Sequence, residues 1–222
     1  MRYLASVTAI AAAAIFGLLS PASAAAVPSL GWYGYAVTGS TYTSTTADWT
    51  MPSLSCTTQG AYVAIWTGLD GYSSDTVEQV GAEASCSGGT AYYFGWYDLY
   101  PAAPVDFTNT LKPGDRLEAA VTYDGAQEFT LSLSDVTQGW SHTVKQSLAG
   151  AARSSAETVV EVPANLSCAP EQTLAAFTGD TVNGSPLGSQ DPVKVTGTNP
   201  HIIVSAVSGK TFSVTCDGSI SP

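Results

Sequence analysis

Three successive segments between residues 116 and 145 alternate apolar and polar side chains with a period of two, and this pattern constrains the fold more than any other part of the chain. Turn sequences delimit them, with Pro-Gly-Asp at 113–115 and Asp-Gly at 124–125. The apolar positions of the first segment are Leu117, Ala119, Val121 and Tyr123. Such alternation is typical of an antiparallel meander with one buried face. It predicts an all-β fold in which two antiparallel sheets pack as a β-sandwich.

Further strands are predicted on both sides of this meander. They are residues 31–37, 42–51, 61–69, 75–81 and 91–100 before it, and residues 158–162, 173–177, 193–196, 201–205 and 211–215 after it. Apart from the N-terminus, residues 146–156 are the one segment that we considered for a helix, and Gly150 weakens that interpretation. Because no repeat or linker divides the chain, residues 25–222 are predicted to form a single β-sandwich domain.

The N-terminus has the features of an export signal. Arg2 provides a positive start, residues 4–19 are apolar, and Ala22-Ser23-Ala24 fits a cleavage site with small residues. A membrane anchor is the alternative, but the apolar run is short and no charged stop-transfer cluster follows it. We therefore expect residues 1–24 to be a signal peptide, and the mature chain to be secreted, free of the membrane and monomeric.

Charge and cysteine content narrow the classes of partner and compartment. Seven Lys and Arg residues against 18 Asp and Glu residues give a net charge of −11, which opposes binding to nucleic acid or anionic membranes. Four cysteines in an exported chain favour two disulfides over a metal site. Of the three possible pairings we prefer the sequence-local one, which joins Cys56 to Cys86 and Cys168 to Cys216.

Familiar catalytic motifs are absent, so carboxylates and amides are the remaining candidates. The sequence has no Gly-x-Ser-x-Gly and no His-Glu-x-x-His, and its two histidines cannot form a histidine-rich metal site, so no metal cofactor is predicted. Strand alternation places Glu157, Val159 and Glu161 on one face. It places Gln79 on the same face of its strand as Val77. The simpler interpretation of the two glutamates is that they lie on a solvated outer face. The simpler interpretation of Gln79 is that it is a hydrogen-bonded strand residue.

Five short motifs, in order, make the chain resemble the glutamic peptidases, or eqolisins. They are Tyr42-Thr43-Ser44 with Trp49-Thr50-Met51-Pro52, Trp66-Thr67-Gly68-Leu69-Asp70-Gly71, Glu78-Gln79-Val80-Gly81, Trp96-Tyr97-Asp98-Leu99-Tyr100-Pro101, and Ser155-Ala156-Glu157. The resemblance extends from about Trp32 to Phe177. One departure is Thr158, which stands where the family usually has tryptophan.

This resemblance implies a sandwich of two curved sheets, of the concanavalin A-like or jelly-roll type, with a cleft on the concave face. The glutamine of the family's catalytic dyad falls on Gln79 and its glutamate on Glu157. It also implies cleft positions for substrate binding at Trp49, Asp70, Trp96 and Tyr100, of which we expect the last two to face the substrate. The chain would then be a secreted acid endopeptidase that binds protein or peptide substrates.

Two other interpretations of the sequence remain open. The chain could be an inactive peptidase relative. It could also be a carbohydrate-binding sandwich in which Trp96, Tyr97 and Tyr100 stack on sugar rings, since one fold serves many functions. Glu157 and Asp98 could in principle supply the two carboxylates that a sugar hydrolase needs. A large separation of Gln79 from Glu157 would exclude the peptidase mechanism.

Overall fold

Antiparallel strands form almost all of the regular structure in a computed structural model that describes residues 31–57, 60–169 and 171–218. The predicted signal peptide, residues 1–24, lies outside the described residues. The strands are β1 Trp32–Thr38, β2 Ser44–Thr50, β3 Tyr62–Asp70, β4 Val77–Ser87, β5 Thr90–Tyr100, β6 Val105–Thr110, β7 Arg116–Gly125, β8 Glu128–Asp135, β9 Trp140–Ser147, β10 Ser155–Glu161, β11 Gln172–Val182, β12 Ser185–Pro186, β13 Val193–Val195, β14 Ile202–Val204 and β15 Phe212–Cys216. A single 3-10 turn, Leu187–Ser189, follows β12.

The strands form two sheets. The first has seven strands in the order β13-β1-β10-β3-β4-β5-β6, and the second has the order β14-β15-β11-β2-β7-β8-β9, with β12 paired to β11. Every pairing between named strands is antiparallel. The predicted all-β fold of two antiparallel sheets is confirmed. The meander from which it was inferred forms the β7-β8-β9 edge of the second sheet.

Apolar side chains from the inner faces of both sheets form one core. Its largest fully buried members include Tyr33, Phe129 and Phe177. Burial of each such side chain contributes about 1.5–3 kcal/mol. In the meander, the apolar positions of the alternating pattern are the ones that face the opposite sheet.

Threonines form a polar bridge inside this core. The hydroxyl oxygens of Thr45 on β2 and Thr67 on β3 lie 2.8 Å apart, so they join the two sheets directly. The hydroxyl of Thr158 lies 3.2 Å from that of Thr67. Thr158 stands where the glutamic peptidases usually have tryptophan. Its side chain thus faces the interior of the sandwich and not its outer surface.

The described residues correct one expectation and confirm another. The helix considered for residues 146–156 is wrong: β9 continues to Ser147, and the chain then turns through left-handed backbone at Gly150 and Arg153 before β10. Both sequence-local disulfides are present, joining Cys56 to Cys86 and Cys168 to Cys216. None of the described residues belongs to a helix that is long and apolar enough to cross a membrane.

Candidate active site

The outer face of the seven-stranded sheet carries a second hydrophobic cluster, separate from the core. Its buried members are Ala64, Trp66, Val77, Trp96 and Val159, and Trp32, Tyr62 and Phe94 pack against them. These residues come from β1, β3, β4, β5 and β10. An aromatic sheet face turned away from the partner sheet is available to a ligand, and the polar candidates from the sequence lie on it.

Two adjoining cavities, which we call the groove, lie on this face. One has a volume of about 590 Å³ and the other about 270 Å³. Gln79 and Glu161 line both cavities. The larger is also lined by Trp32, Gly71, Ser74, Asp75, Val77, Tyr100 and Pro101, and the smaller by Tyr62, Ala64, Glu83, Phe94, Trp96, Asp98, Pro104 and Asp106. The groove thus combines aromatic surface with one amide and several carboxyl groups.

Gln79 is held in the groove by its neighbours in the sheet. It pairs with Gly68 of β3 on one side and with Asp98 of β5 on the other. Its Nε2 donates a hydrogen bond of 3.1 Å to Asp98 Oδ2. On the opposite side, a Cβ at position 68 would lie only 3.0 Å from the Cβ of Gln79. The glycine therefore leaves the space that the Gln79 side chain requires.

Glu157 lies in the same row of the sheet as Gln79 but is buried. It pairs with Gly68, so the two candidates flank one glycine. Only 1% of Glu157 is exposed, and it lines neither of the two cavities that form the groove. Its Oε1 accepts a hydrogen bond of 3.3 Å from the backbone N–H of Tyr72. Burial raises the pKa of Glu157 well above its usual value.

Glu161 is the glutamate that reaches the groove. It is half-buried, lines both cavities, and its Oε2 accepts a hydrogen bond of 3.0 Å from Trp32 Nε1. Burial raises its pKa. Strand alternation places Glu161 on this face with Glu157, but the family resemblance does not assign it a catalytic role. The sequence feature that could have identified Glu161 is its position at the end of β10, two residues after Val159 of the outer hydrophobic cluster.

Asp70 is surrounded by hydrogen-bond donors from two loops and does not line the groove. It is fully buried. Its carboxylate accepts hydrogen bonds from the backbone N–H groups of Arg153 and Ser154, at 2.6 and 2.8 Å, and from the hydroxyl of Ser74 at 2.9 Å. The expected substrate-binding role of Asp70 stays a prediction, and in this structure its oxygens are occupied by loop donors.

Trp49 also lies away from the groove. It belongs to β2 in the second sheet, is 2% exposed, and packs in the core with its ring centroid 6.3 Å from that of Phe177. The expected cleft position of Trp49 stays a prediction, and in this structure its indole faces the inside of the sandwich.

The aromatic residues of β5 divide between the two faces of the sheet. Trp96 lines the smaller cavity and Tyr100, which is 51% exposed, lines the larger. Their contact with a substrate stays a prediction. Tyr97 packs toward the core, with its ring centroid 5.7 Å from that of Phe107. The sugar-binding alternative consequently loses one of its three stacking rings.

Comparison with known proteins gives consistent similarities. The sequence profile of the Peptidase A4 family matches residues 30–221. Aspergillopepsin-2 of Aspergillus niger is 27% identical over 157 residues, which are 60% of this chain and 56% of that protein. The chain thus spans about half the length of this curated relative.

Two solved structures share the fold. Scytalido-glutamic peptidase bound to a peptide-based transition-state analogue superposes with a TM-score of 0.69 at 21% identity, covering 85% of this chain and 98% of that one. SCP-B, a member of the eqolisin family in complex with the tripeptide Ala-Ile-His, gives a TM-score of 0.65 at 19% identity with the same coverage.

Proposed function

Since the chain belongs to the Peptidase A4 family, we propose that it is a secreted endopeptidase that hydrolyses protein substrates at acid pH in the groove. One observation carries the proposal: an amide, Gln79, and a carboxyl group, Glu161, both line the two adjoining cavities. Peptide ligands bound to its structural relatives support a peptide substrate. Two disulfides support an oxidising compartment.

Gln79 would stabilise the tetrahedral intermediate. A side-chain amide has two N–H donors and does not titrate, so it can donate to the developing oxyanion at acid pH. One donor of Gln79 is directed to Asp98. The second remains for the substrate oxygen, and such a donor typically contributes about 10²- to 10³-fold in rate.

Glu161 would act as the general base that activates water, and then as the acid that protonates the departing amine. The sequence resemblance had assigned this role to Glu157. Burial of Glu157 beneath the backbone of Tyr72 argues against that assignment, since a base must reach the attacking water. Glu161 borders both cavities, and the raised pKa of its carboxyl group makes it a stronger proton acceptor once ionised.

Digestion of a denatured protein at about pH 3 to 5 tests both the function and the choice of glutamate. We expect the parent to cleave, and Gln79→Ala and Glu161→Gln each to lose at least about 10²-fold in kcat/KM. We expect Glu157→Gln to keep most activity, because glutamine resembles the protonated carboxyl group. Glu118→Gln, an exposed position on β7 of the other sheet, is the matched control.

Each outcome assigns a role. If Glu157→Gln were inactive while Glu161→Gln cleaved, Glu157 would be the base. If the folded parent did not cleave peptides across the acid range, the chain would be an inactive relative or a binding protein.

A further inference from the structure

Gln79 has one side-chain hydrogen-bond partner among the described residues, Asp98 on the adjacent strand. The two residues are direct partners in the β4–β5 register, so their side chains leave the sheet side by side. Asp98 is only 7% exposed, and its second oxygen, Oδ1, has no hydrogen-bond partner in the described structure. A buried carboxyl group is costly unless something compensates it, and here the amide of Gln79 does so.

An amide side chain can bind in two orientations that exchange its oxygen and nitrogen. A carboxylate only accepts hydrogen bonds, so it selects the orientation with Nε2 toward it. On the other side of Gln79 stands Gly68, which has no side chain that could brace the amide. Asp98 is thus the one sheet neighbour able to fix the direction of the second N–H.

We propose that Asp98 is a positioning residue that holds the amide of Gln79 with one N–H toward β5 and the other toward the groove. The catalytic part of this proposal rests on the proposed function, because it requires the free N–H to serve catalysis. The orientation of Gln79 does not depend on that function. Burial raises the pKa of Asp98 and the hydrogen bond from Gln79 lowers it, so the two side chains influence each other.

Kinetics of two substitutions test the catalytic part. Asp98→Ala removes the acceptor, and misorientation of a catalytic group is expected to lower kcat by about 10- to 100-fold with little change in KM. Asp98→Asn keeps an acceptor oxygen and should restore most of kcat. Asp98→Ala should cost nothing further in a Gln79→Ala background, because residues that act as a unit are not additive. Asp124→Ala, at an exposed site on the second sheet, is the control.

The side-chain NH₂ signals of Gln79 give a readout that does not require activity. We expect one Nε2 proton to be protected and shifted in the parent, to remain so in Asp98→Asn, and to lose both properties in Asp98→Ala. Unchanged Gln79 signals in Asp98→Ala would overturn the proposal, as would equal kcat losses in Asp98→Ala and Asp98→Asn that persist without Gln79. If the Gln79 signals changed in Asp98→Ala but the parent did not cleave peptides, Asp98 would still be the residue that positions Gln79, and the proposed function would be rejected.

Discussion

At the scale of single residues, the carboxyl group of Glu161 is subject to two opposing effects. Burial disfavours its charged form and raises its pKa, whereas the indole N–H groups of Trp66 and Trp32 stabilise the charged form. Trp32 itself packs edge-on against Trp66, at 4.7 Å between ring centroids, so its donor is held in place. The pH at which Glu161 can accept a proton therefore depends on an aromatic residue of another strand.

Replacing Trp32 with phenylalanine should shift the acidic limb of the pH–rate profile. The ring remains but the N–H donor is lost, so the pKa of Glu161 rises further and the ionised base appears only at higher pH. The measurement is kcat/KM against pH between about 2 and 6. Trp140→Phe, on β9 of the second sheet, is the matched control. A limb that stays in place, or moves to lower pH, would contradict a role for Glu161 as the base.

At the scale of elements, Asp70 ties two loops together over Glu157. The loop between β3 and β4, residues 71–76, contributes the Tyr72 N–H that binds Glu157 and the Ser74 hydroxyl that binds Asp70. The loop before β10 contributes the backbone N–H groups of Arg153 and Ser154. The buried carboxylate of Asp70 therefore holds in place the loop whose backbone covers Glu157.

Asp70→Asn should destabilise the fold by about 2 to 4 kcal/mol, because buried hydrogen bonds to a charged group contribute about 1.5–3 kcal/mol each and the new NH₂ group faces other donors. Urea unfolding monitored by tryptophan fluorescence measures the loss. Asp75→Asn, in the same loop, is expected to change the free energy of unfolding by less than about 0.5 kcal/mol. Equal stability of Asp70→Asn and the parent would refute the inference that Asp70 joins the two loops.

Strand alternation explains which parts of the site could be predicted. Because the period is two, it correctly put Gln79 on the same face as Val77, and Glu157 on the same face as Val159 and Glu161. It could not tell which of two glutamates on the same face reaches the groove, because a loop from another part of the chain covers Glu157 and leaves Glu161 open. Nor could it assign Trp49 to the inner face of the second sheet, since alternation does not say which face is which.

At the scale of the whole molecule, buried carboxyl groups make stability depend on pH. Glu78 and Asp180 are fully buried, and neither side-chain oxygen of Asp180 has a hydrogen-bond partner in the described structure. Burial, with Asp70 nearby, raises the pKa of Glu78 from 4.5 to about 8. Burial, with Asp48 nearby, raises the pKa of Asp180 from 3.8 to about 9. Both groups are therefore protonated in the folded chain under acid conditions.

The sign of the effect follows from proton linkage. Above about pH 4 the unfolded chain releases these protons while the folded chain keeps them, so the contribution of these two groups to folding stability is most favourable below about pH 4. It falls as the pH rises toward 8 to 9, by up to about 1.4 kcal/mol per pH unit for each group. The net charge of −11 acts in the same direction, because self-repulsion grows as the other carboxylates ionise. The melting temperature should consequently be higher at pH 4 than at pH 8.

Asp180→Asn separates the buried groups from the general charge. Asparagine has nearly the same shape and cannot ionise, so the decline in stability between pH 5 and 8 should become shallower while stability near pH 4 changes less. Asp124→Asn removes one charge at an exposed site and should leave the slope unchanged. Melting curves of the three proteins across this range provide the comparison. A parent equally stable at pH 5 and pH 8, or an Asp180→Asn slope equal to that of the parent, would mean that Asp180 is not the proton-retaining group inferred from its burial.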